Sequence, residues 1–337
     1  MLPRTPLARL PARLKPYLTL LLWAGIPLLV RSSQQSLMGH DEGWYAQQAR
    51  WIVESGDWMT QQWWGEPIYD RAMGIQWAIA LAYKLFGVSD AIARLPGMLA
   101  CLAAILLLYD IARRCVPDPV AWWGAAILAA TPIWMQAGRL ATQDVPLTAI
   151  ELLSMWALLQ AESHPARQSE WRWLAGAAFG LGFAVKSFMV VLASVALLPY
   201  LLGDHRRHRH LLAPSLYVGL GMGLIPVALW LGLSVDRYGI LPLENLFGLL
   251  FQLSREDFHN AGALYYFWNV PANAFPWPFL ALPGIALAVR QSDYQRKWLW
   301  IGFPLTLFVL LCSFKTRTWY YPLQLMPFAS VLAAVTL

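Results

Sequence analysis

Apolar residues fall into long blocks separated by short charged segments along this chain. This pattern is typical of a protein whose solvent is a lipid bilayer, where a helix of about 20 apolar residues crosses the hydrocarbon core. We predict an all-α fold: a polytopic transmembrane helical bundle of about ten spans that forms a single domain over residues 1–337. The predicted spans are 16–32, 95–112, 119–137, 145–161, 173–185, 187–203, 211–235, 272–289, 298–314 and 319–337.

The block 72–88 is apolar enough to cross a membrane but is short. Lysine and arginine are enriched in short cytoplasmic loops. If 72–88 is an interfacial or re-entrant helix, the basic clusters at 113–114, 206–209 and 290–297 all face the cytoplasm. We therefore predict a cytoplasmic N-terminus and one long external loop over residues 33–94.

The stretch 42–58 within this loop has a helical pattern. Trp44, Ala49, Trp51, Ile52 and Val53 share one predicted face, and Tyr45 and Gln48 lie near its edge. Gly56 then ends the helix, as glycine commonly does. We predict an amphipathic helix that lies on the outer leaflet.

Composition agrees with a membrane protein. Charged residues make up 13% of the 337 residues, against about a quarter in soluble domains. The net charge of +6 would indicate nucleic-acid binding if it formed one patch, but the basic residues are divided among short loops. The charge is therefore interpreted as a topology signal, and we expect no nucleic-acid partner.

Two adjacent carboxylates, Asp41 and Glu42, precede the amphipathic helix. Acids at this position cap a helix and oppose its positive dipole end. They are also suitable general bases for an acceptor hydroxyl or amine that attacks a sugar. Both interpretations stay open from the sequence alone.

A third acid, Asp144, stands at the predicted outer mouth of two spans. It is a plausible helix N-cap, since Pro146 follows it. The predicted topology also brings it to the same face as Asp41, where the two acids could bind a divalent cation, Mg or Mn, or an acceptor. His40 is a further candidate ligand, and no cofactor is required by the sequence.

Several cations are predicted on that same outer side. Each one could be a surface charge near the lipid headgroups, but together they would bind a phosphate or diphosphate group. Lys186 is the most unusual of them because apolar runs flank it, which marks a functional residue in a membrane. The set comprises Arg71, Lys186, Arg237, Arg255, Lys315 and Arg317.

The order of these features resembles the GT-C glycosyltransferases that include protein O-mannosyltransferases and the lipid A aminoarabinose transferase. The resemblance is most specific in the first loop and covers most of the chain. The matching motifs are Asp41-Glu42, Tyr45, Ala49-Arg50, Gly56-Asp57-Trp58, Gly65-Glu66-Pro67, Asp70-Arg71, Trp77, Leu85-Phe86-Gly87, Ala93-Arg94-Leu95-Pro96, Asp144, Lys186 and Pro276-Trp277.

The resemblance implies roles for these residues. It implies that Asp41 is the catalytic base, that Arg71 contacts the donor phosphate and that Asp144 is a second acid at the outer mouth. From their positions, we also expect Glu42 to be a candidate catalytic base and Lys186, Lys315 and Arg317 to bind the phosphate. His40, Tyr45, Arg50 and Trp77 are then expected to contact substrate. Arg71-Ala72-Met73 stands where the family has Lys-Pro-Pro, so the positive charge is kept and the rigid turn is lost. Family members also extend beyond the equivalent of residue 337, so the domain is expected to be C-terminally short.

The function expected from this resemblance is sugar transfer at the external, periplasmic face of the inner membrane. The donor would be a polyprenyl-phosphate sugar, and the acceptor a lipid, a glycan or a protein. The alternative is a transporter or flippase for lipid-linked sugars. Transporters commonly have internal repeats and a binding site at the bilayer midplane. The candidate acids here lie at the predicted outer edge and no repeat is visible, which favours an enzyme.

Overall fold

A computed structural model describes residues 11–30, 32, 34–39, 41–255, 262–290 and 297–337. His40 and the side chain of Arg255, two of the predicted site residues, lie outside the described part. The described chain is almost entirely helical, which confirms the predicted all-α class. Its one small sheet is an antiparallel pair of two-residue strands in the first loop.

The first half of the chain forms seven α-helices and this strand pair. In chain order they are α1 (Lys15–Leu29), α2 (Asp41–Ser55), β1 (Gln62–Trp63), β2 (Glu66–Pro67), α3 (Gly74–Phe86), α4 (Asp90–Ala112), α5 (Asp118–Ala130), α6 (Pro132–Gly138) and α7 (Asp144–Ser163).

The second half continues as a helical bundle. Its α-helices are α8 (Gln168–Lys186), α9 (Met189–Ala196), α10 (Leu198–Gly203), α11 (His205–His208), α12 (Pro214–Tyr238), α13 (Leu241–Arg255), α14 (Tyr265–Asn273), α15 (Trp277–Arg290), α16 (Phe303–Ser313) and α17 (Met326–Thr336). Short 3₁₀ turns at Pro165–Arg167, His210–Leu212 and Tyr321–Leu325 and a π-helical turn at Trp298–Gly302 connect them.

Helices lie at each of the ten predicted spans, but many are short or broken. By length and composition, two of the described helices, α4 and α12, are suited to cross a membrane. A third span results if α14 and α15, which meet at 106°, are counted as one. The described part of the chain therefore carries helices long and apolar enough to cross a membrane, and the number ten stays a prediction.

The first loop is a folded unit that packs on the bundle. Its helix α2 buries the face formed by Glu42, Tyr45, Ala46, Ala49 and Ile52. The apolar face predicted for α2 was wrong. The helix is rotated about its axis so that Trp44, Trp51 and Val53, which were predicted on that face, are only half-buried. The burial of Tyr45 and Glu42 against α3, α4 and the chain before α7 sets the observed rotation. Gly56 ends the helix with a positive φ of 74°, as predicted.

Helix α3 has 13 residues, which corresponds to a length of about 20 Å. That is shorter than the roughly 30 Å hydrocarbon core of a bilayer. One face packs against α2 and α4 through Ile75, Ile79 and Tyr83. This length and packing are consistent with the prediction that 72–88 does not cross.

Helices α8 and α12 lie in close contact along a row of glycines. A Cβ at Gly176 or Gly219 would lie within about 2 Å of a carbonyl oxygen of the facing helix, namely that of Leu216 or Trp173. Gly180 and Gly223 meet in the same interface. Small residues allow helices in membranes to approach this closely, and the contact fixes the end of α8 relative to the end of α12.

Candidate active site

The two acids at the start of α2 occupy different environments. Successive helical residues are rotated by about 100°, so Asp41 and Glu42 face different sides. The Glu42 side chain is fully buried. Its Oε1 accepts hydrogen bonds from Arg94 Nε and Ala141 N, both at 2.9 Å, and its Oε2 accepts from Met38 N at 3.0 Å. This carboxylate is held entirely by protein donors.

The partner of Glu42, Arg94, organises the segment before the helix. Arg94 is buried and donates to the backbone carbonyls of Ser32, Gln35 and Ser36. The Glu42–Arg94 pair thus joins α2 and α4 to the chain at residues 32 and 35–38. The sequence marks Arg94 by its Ala-Arg-Leu-Pro motif but does not predict it as a site residue, because a sequence does not show which acid a distant arginine contacts.

Asp41 is partly exposed and lies beside Arg71. The distance from Asp41 Oδ1 to an Arg71 terminal nitrogen is 4.0 Å. Arg71 also pairs with Asp70, with Nε 3.2 Å from the carboxylate, and donates a hydrogen bond to the Tyr45 hydroxyl. Its guanidinium stacks over the rings of Trp44 and Tyr45, with distances to the ring centroids of 5.6 and 5.4 Å. These contacts hold the arginine in one orientation next to Asp41.

Electrostatics keep Arg71 charged. Burial disfavours the cation, but Tyr45 and Asp70 outweigh it and raise the pKa of Arg71 further above its usual range. Burial raises the pKa of Tyr45, against the opposing effect of Arg71, so the phenol stays protonated. The site therefore presents a permanent cation with a carboxylate at its edge, a combination suited to an anionic ligand.

A second ion pair lies in the same region. Lys186, at the end of α8, donates a hydrogen bond to Asp144 Oδ1 at the start of α7. The lysine Nζ also lies 4.8 and 5.2 Å from the ring centroids of Tyr320 and Tyr321. These two tyrosines were missed from the sequence, since they lie more than a hundred residues from the lysine and carry no motif.

The two ion pairs belong to one cluster. The charge of Asp41 acts on Asp144, and both carboxylates act on Tyr320 and Tyr321. Two contacts join the first loop to the end of α8. Ala72 N donates to the side-chain Oγ of Ser187, the residue after α8, at 3.1 Å, and a Cβ at Gly74 would lie 2.5 Å from the Ala184 carbonyl oxygen. The structure thus brings Asp41, Tyr45, Arg71, Asp144 and Lys186 together.

Other predicted site residues have different partners. Arg50 is exposed on α2 and pairs with Glu54 at 2.6 Å. Trp77 Nε1 donates to the Trp58 carbonyl at 2.8 Å. Arg317 is buried and donates to the Cys312 carbonyl at 3.0 Å, while Lys315 is exposed. Substrate contacts by these residues stay predictions.

Arg237, at the end of α12, holds the first loop from another side. Its guanidinium pairs with Asp57 at 2.5 Å and donates to the Thr60 hydroxyl at 2.9 Å. Burial would raise the pKa of Asp57, but hydrogen bonds from Met59, Thr60 and Arg237 lower it overall. Arg237 therefore fastens the loop to the bundle.

The Asp41–Asp144 pair fits a divalent cation poorly. Each carboxylate already lies beside a cation, Arg71 or Lys186. Across the residues that the structure describes, no group of three or more His, Cys, Asp and Glu side chains is arranged to hold a metal. Magnesium and manganese prefer several oxygen ligands without competing positive charge, so this cluster is better suited to a phosphate.

An apolar groove of about 780 Å³ begins beside this cluster and runs between α3, α4, α7 and α8. Its upper lining includes Gly74, Pro146 and Val185, each within three residues of Arg71, Asp144 or Lys186. Further along it is lined by aliphatic side chains such as Leu106, Leu107, Ile150 and Leu153, together with Trp77.

Tyr17, Asp110 and Trp156 form the far end of the groove. The Tyr17 hydroxyl donates to Asp110 Oδ1 at 2.7 Å, and Trp156 Nε1 donates to Asp110 Oδ2 at 2.6 Å. From Pro96 to Asp110, α4 rises about 21 Å along the groove. The groove is therefore a long apolar channel with cations at one end and a hydrogen-bonded polar group at the other.

Comparison with known proteins supports the resemblance seen in the sequence. Residues 70–232 match the family model for dolichyl-phosphate-mannose-protein mannosyltransferase. The chain is 29% identical over 305 residues to the undecaprenyl phosphate-α-4-amino-4-deoxy-L-arabinose arabinosyl transferase of Pseudomonas aeruginosa strain LESB58, covering 86% of this chain and 54% of that protein. A transferase of the same name from Pseudomonas fluorescens is 28% identical, with 86% and 51% covered. The chain thus spans about half the length of these relatives.

Solved structures share the fold. ArnT from Cupriavidus metallidurans, bound to undecaprenyl phosphate, superposes with a TM-score of 0.84 at 23% identity, covering 96% of this chain and 60% of that one. An oligosaccharyltransferase from Archaeoglobus fulgidus gives a TM-score of 0.62 at 16% identity, covering 94% and 50%.

The chain therefore has the fold that ArnT and the archaeal oligosaccharyltransferase share, and the resemblance to GT-C glycosyltransferases predicted from the sequence is confirmed. The chain is thus similar to the named arabinosyl transferases in sequence and to ArnT in fold.

Proposed function

We propose that this protein is a membrane glycosyltransferase that moves a sugar from a polyprenyl-phosphate donor to a lipid, glycan or protein acceptor. The groove beside the cationic cluster carries this proposal, because it matches a ligand with a long apolar tail and an anionic head. The names of the similar transferases, and the undecaprenyl phosphate bound to ArnT, point to the same class of donor.

The donor's prenyl tail occupies the groove and its phosphate contacts Arg71 and Lys186. Both cations are anchored by aromatic rings, so they are oriented before the ligand arrives. Preorganised charge of this kind stabilises negative charge that develops on a leaving group. Tyr45 stays protonated and donates a further hydrogen bond to that group or orients Arg71.

The reaction is a single inverting displacement. Asp41 accepts the proton of an acceptor hydroxyl or amine, whose oxygen or nitrogen attacks the anomeric carbon. The bond from that carbon to the phosphate oxygen breaks, and polyprenyl phosphate leaves with the electron pair. Asp41 is suited to the base role because its carboxylate is partly exposed, whereas Glu42 is committed to Arg94. Asp144 orients Lys186.

The same proposal places the reaction on the outer, periplasmic face of the inner membrane, with the N-terminus in the cytoplasm. The first loop, the start of α7 and the end of α8 all meet at one end of the bundle, and the basic clusters at 113–114 and 206–209 lie toward the other. Basic residues favour the cytoplasmic side, which supports this orientation.

The test is transfer from a synthetic, radiolabelled polyprenyl-phosphate sugar to a glycolipid extract, with donor binding measured separately. Asp41→Asn should lower the transfer rate about 10²–10⁴-fold, the usual contribution of a positioned base, with donor affinity unchanged or tighter. Glu170→Gln, an exposed acid in a surface pair with Arg167, is the control and should match the wild type.

Two outcomes would contradict the proposal. Undiminished transfer by Asp41→Asn would remove the assigned base. Donor binding and translocation across vesicles without any transfer by the wild-type protein would favour a flippase instead.

A further inference from the structure

The first loop carries an exposed aromatic surface next to the residues assigned to the proposed chemistry. The strands β1 and β2 are joined by the two residues Trp64 and Gly65, and the Trp64 side chain is 89% exposed. Trp63 stacks on Trp44 of α2, with ring centroids 4.3 Å apart and planes inclined by 2°. Trp64 stands nearly perpendicular to Trp63, at 85° and 6.1 Å. We name Trp44, Trp63 and Trp64 the aromatic ledge.

The backbone at the tip of this hairpin is unfavourable for tryptophan. Trp64 and Gly65 both have positive φ, 52° and 87°, as a type I′ turn requires. Asparagine followed by glycine suits this turn, whereas a bulky residue with positive φ is strained. A strained residue that also exposes a large apolar ring indicates a function for that ring.

The ledge is continuous with the candidate active site. Trp44 lies at one end of the indole stack and also receives the Arg71 guanidinium over its ring at 5.6 Å. A ligand that rests on Trp63 and Trp64 is therefore adjacent to Arg71 and Asp41. The ledge is separate from the apolar groove proposed for the donor tail, whose lining includes Gly74 and Val185 but none of the three ledge tryptophans.

Charged neighbours indicate what the ledge binds. Glu66 pairs directly with Trp63 across the hairpin, so its exposed carboxylate shares the ledge face. Burying a carboxylate in lipid is costly, which disfavours insertion of this face into the bilayer. An aromatic face beside a carboxylate suits a sugar: ring faces carry partial negative charge that attracts the C–H groups of a pyranose, and the carboxylate accepts hydrogen bonds from its hydroxyls.

We infer that the aromatic ledge is a binding site for the carbohydrate part of the acceptor, and that the acceptor is a glycan or glycolipid. That the bound sugar belongs to an acceptor rests on the proposed function. Sugar binding by the ledge itself can be measured without any transfer. The L-shaped corner between Trp63 and Trp64 holds one sugar ring, and Glu66 orients it.

The test is saturation-transfer NMR with the full chain in lipid nanodiscs and two neutral probes, chitotetraose and maltotetraose. The decisive variant is Trp64→Asn, which removes the indole but supplies the residue that the type I′ turn favours. Its thermal midpoint should equal or exceed that of the wild type. The affinity for at least one probe, obtained by titration of the saturation-transfer signal, should fall about tenfold, which corresponds to about 1.4 kcal/mol.

Trp123→Ala is the matched control, because Trp123 is also largely exposed but lies on α5, away from the first loop. It should leave sugar binding unchanged. Wild-type protein that binds neither probe, or a Trp64→Asn variant that binds both as well as the wild type, would overturn the inference. Quenching of Trp64 by brominated lipid, absent in Trp64→Asn, would assign the ledge to the membrane instead.

The test separates this inference from the proposed function. If the wild-type protein binds the probes but transfers no sugar, and Trp64→Asn loses this binding, the sugar-binding role of the ledge is supported and the enzymatic proposal fails. If transfer depends on Asp41 while Trp64→Asn binds the probes normally and leaves the KM for acceptor unchanged, the enzyme stands and the ledge inference fails.

Discussion

Asp41 and Glu42 show how neighbouring identical charges acquire different environments. Glu42 receives protein hydrogen bonds on both oxygens and has no access to solvent. Asp41 is partly exposed and faces Arg71 across 4.0 Å. Buried carboxylates persist only when they are fully paired, so Glu42 is committed to the fold and Asp41 is open to a ligand.

Replacing Glu42 should therefore affect folding more than chemistry. In Glu42→Gln the buried Arg94 guanidinium loses its counter-charge, and breaking one side of a buried ion pair costs about 3–5 kcal/mol. We expect a large decrease in the thermal midpoint in detergent. Glu54→Gln is the control on the same helix, because its exposed pair with Arg50 contributes at most about 1 kcal/mol.

A Glu42→Gln variant as stable as Glu54→Gln would show that the buried pair is dispensable. Loss of transfer by Glu42→Gln at full stability would assign Glu42 a direct part in the reaction.

Individual residues were predictable from sequence only where a motif marked them. The acids of α2, the Asp70-Arg71 step, Asp144 and the flanked Lys186 were all recognised, and the fold places them together. Tyr320 and Tyr321 were not, because they act through a partner distant in sequence. Arg94 was marked by a motif, but its pairing with Glu42 was not predicted. A cation–π contact or a buried ion pair leaves no local pattern.

The first loop reaches the site because its elements dock on the bundle with little clearance. Gly74 begins α3 directly against the backbone of α8, where a Cβ would lie 2.5 Å from the Ala184 carbonyl oxygen. The neighbouring Ala72 amide bonds to Ser187. This contact sets the separation between Arg71 and Lys186.

Gly74→Ala should push the loop away from α8. The clash is with backbone atoms, which cannot move as a flexible side chain does, and overpacking typically costs about 1–3 kcal/mol. We expect a lower thermal midpoint and weaker binding of the polyprenyl-phosphate donor, measured by scintillation proximity. Gly221→Ala, in open space on α12, is the control and should be neutral or stabilising.

Unchanged donor affinity in a destabilised Gly74→Ala protein would mean that Arg71 and Lys186 do not share one phosphate.

Periodicity predicted the existence of α2 and its end at Gly56, but gave the wrong rotation. The sequence pattern predicted a buried face from the apolar residues Trp44, Trp51 and Val53. The helix instead buries Tyr45 and Glu42, because their side chains bind Arg71 and Arg94. A hydrophobic pattern does not predict such polar partners, because they are distant in sequence. The same limit applies to the broken helices at the ends of the bundle, whose lengths depend on packing.

The arrangement of the whole chain in a membrane can be tested directly. We predict that residues 33–94 lie outside and that 72–88 does not cross the bilayer. Single cysteines at Gln47 and Val88, both exposed, should react with an impermeant maleimide in intact cells, and a cysteine at Arg206 should react only after lysis. Cys115 and Cys312, which are half-buried, are first replaced by serine.

Labelling at Gln47 but not at Val88 would place a crossing between them. Labelling at Arg206 in intact cells would reverse the assigned orientation.

The polar far end of the groove limits the length of the lipid tail that the groove can hold. Tyr17, Asp110 and Trp156 satisfy one another there, and an apolar chain gains nothing by displacing them. The groove extends about 21 Å along α4, less than the roughly 30 Å thickness of the hydrocarbon core. Under the proposed function, the protein binds only the first prenyl units next to the phosphate. The rest of a long carrier must leave the groove and lie in the surrounding lipid. Carriers that differ only in their distal units would then be equivalent substrates.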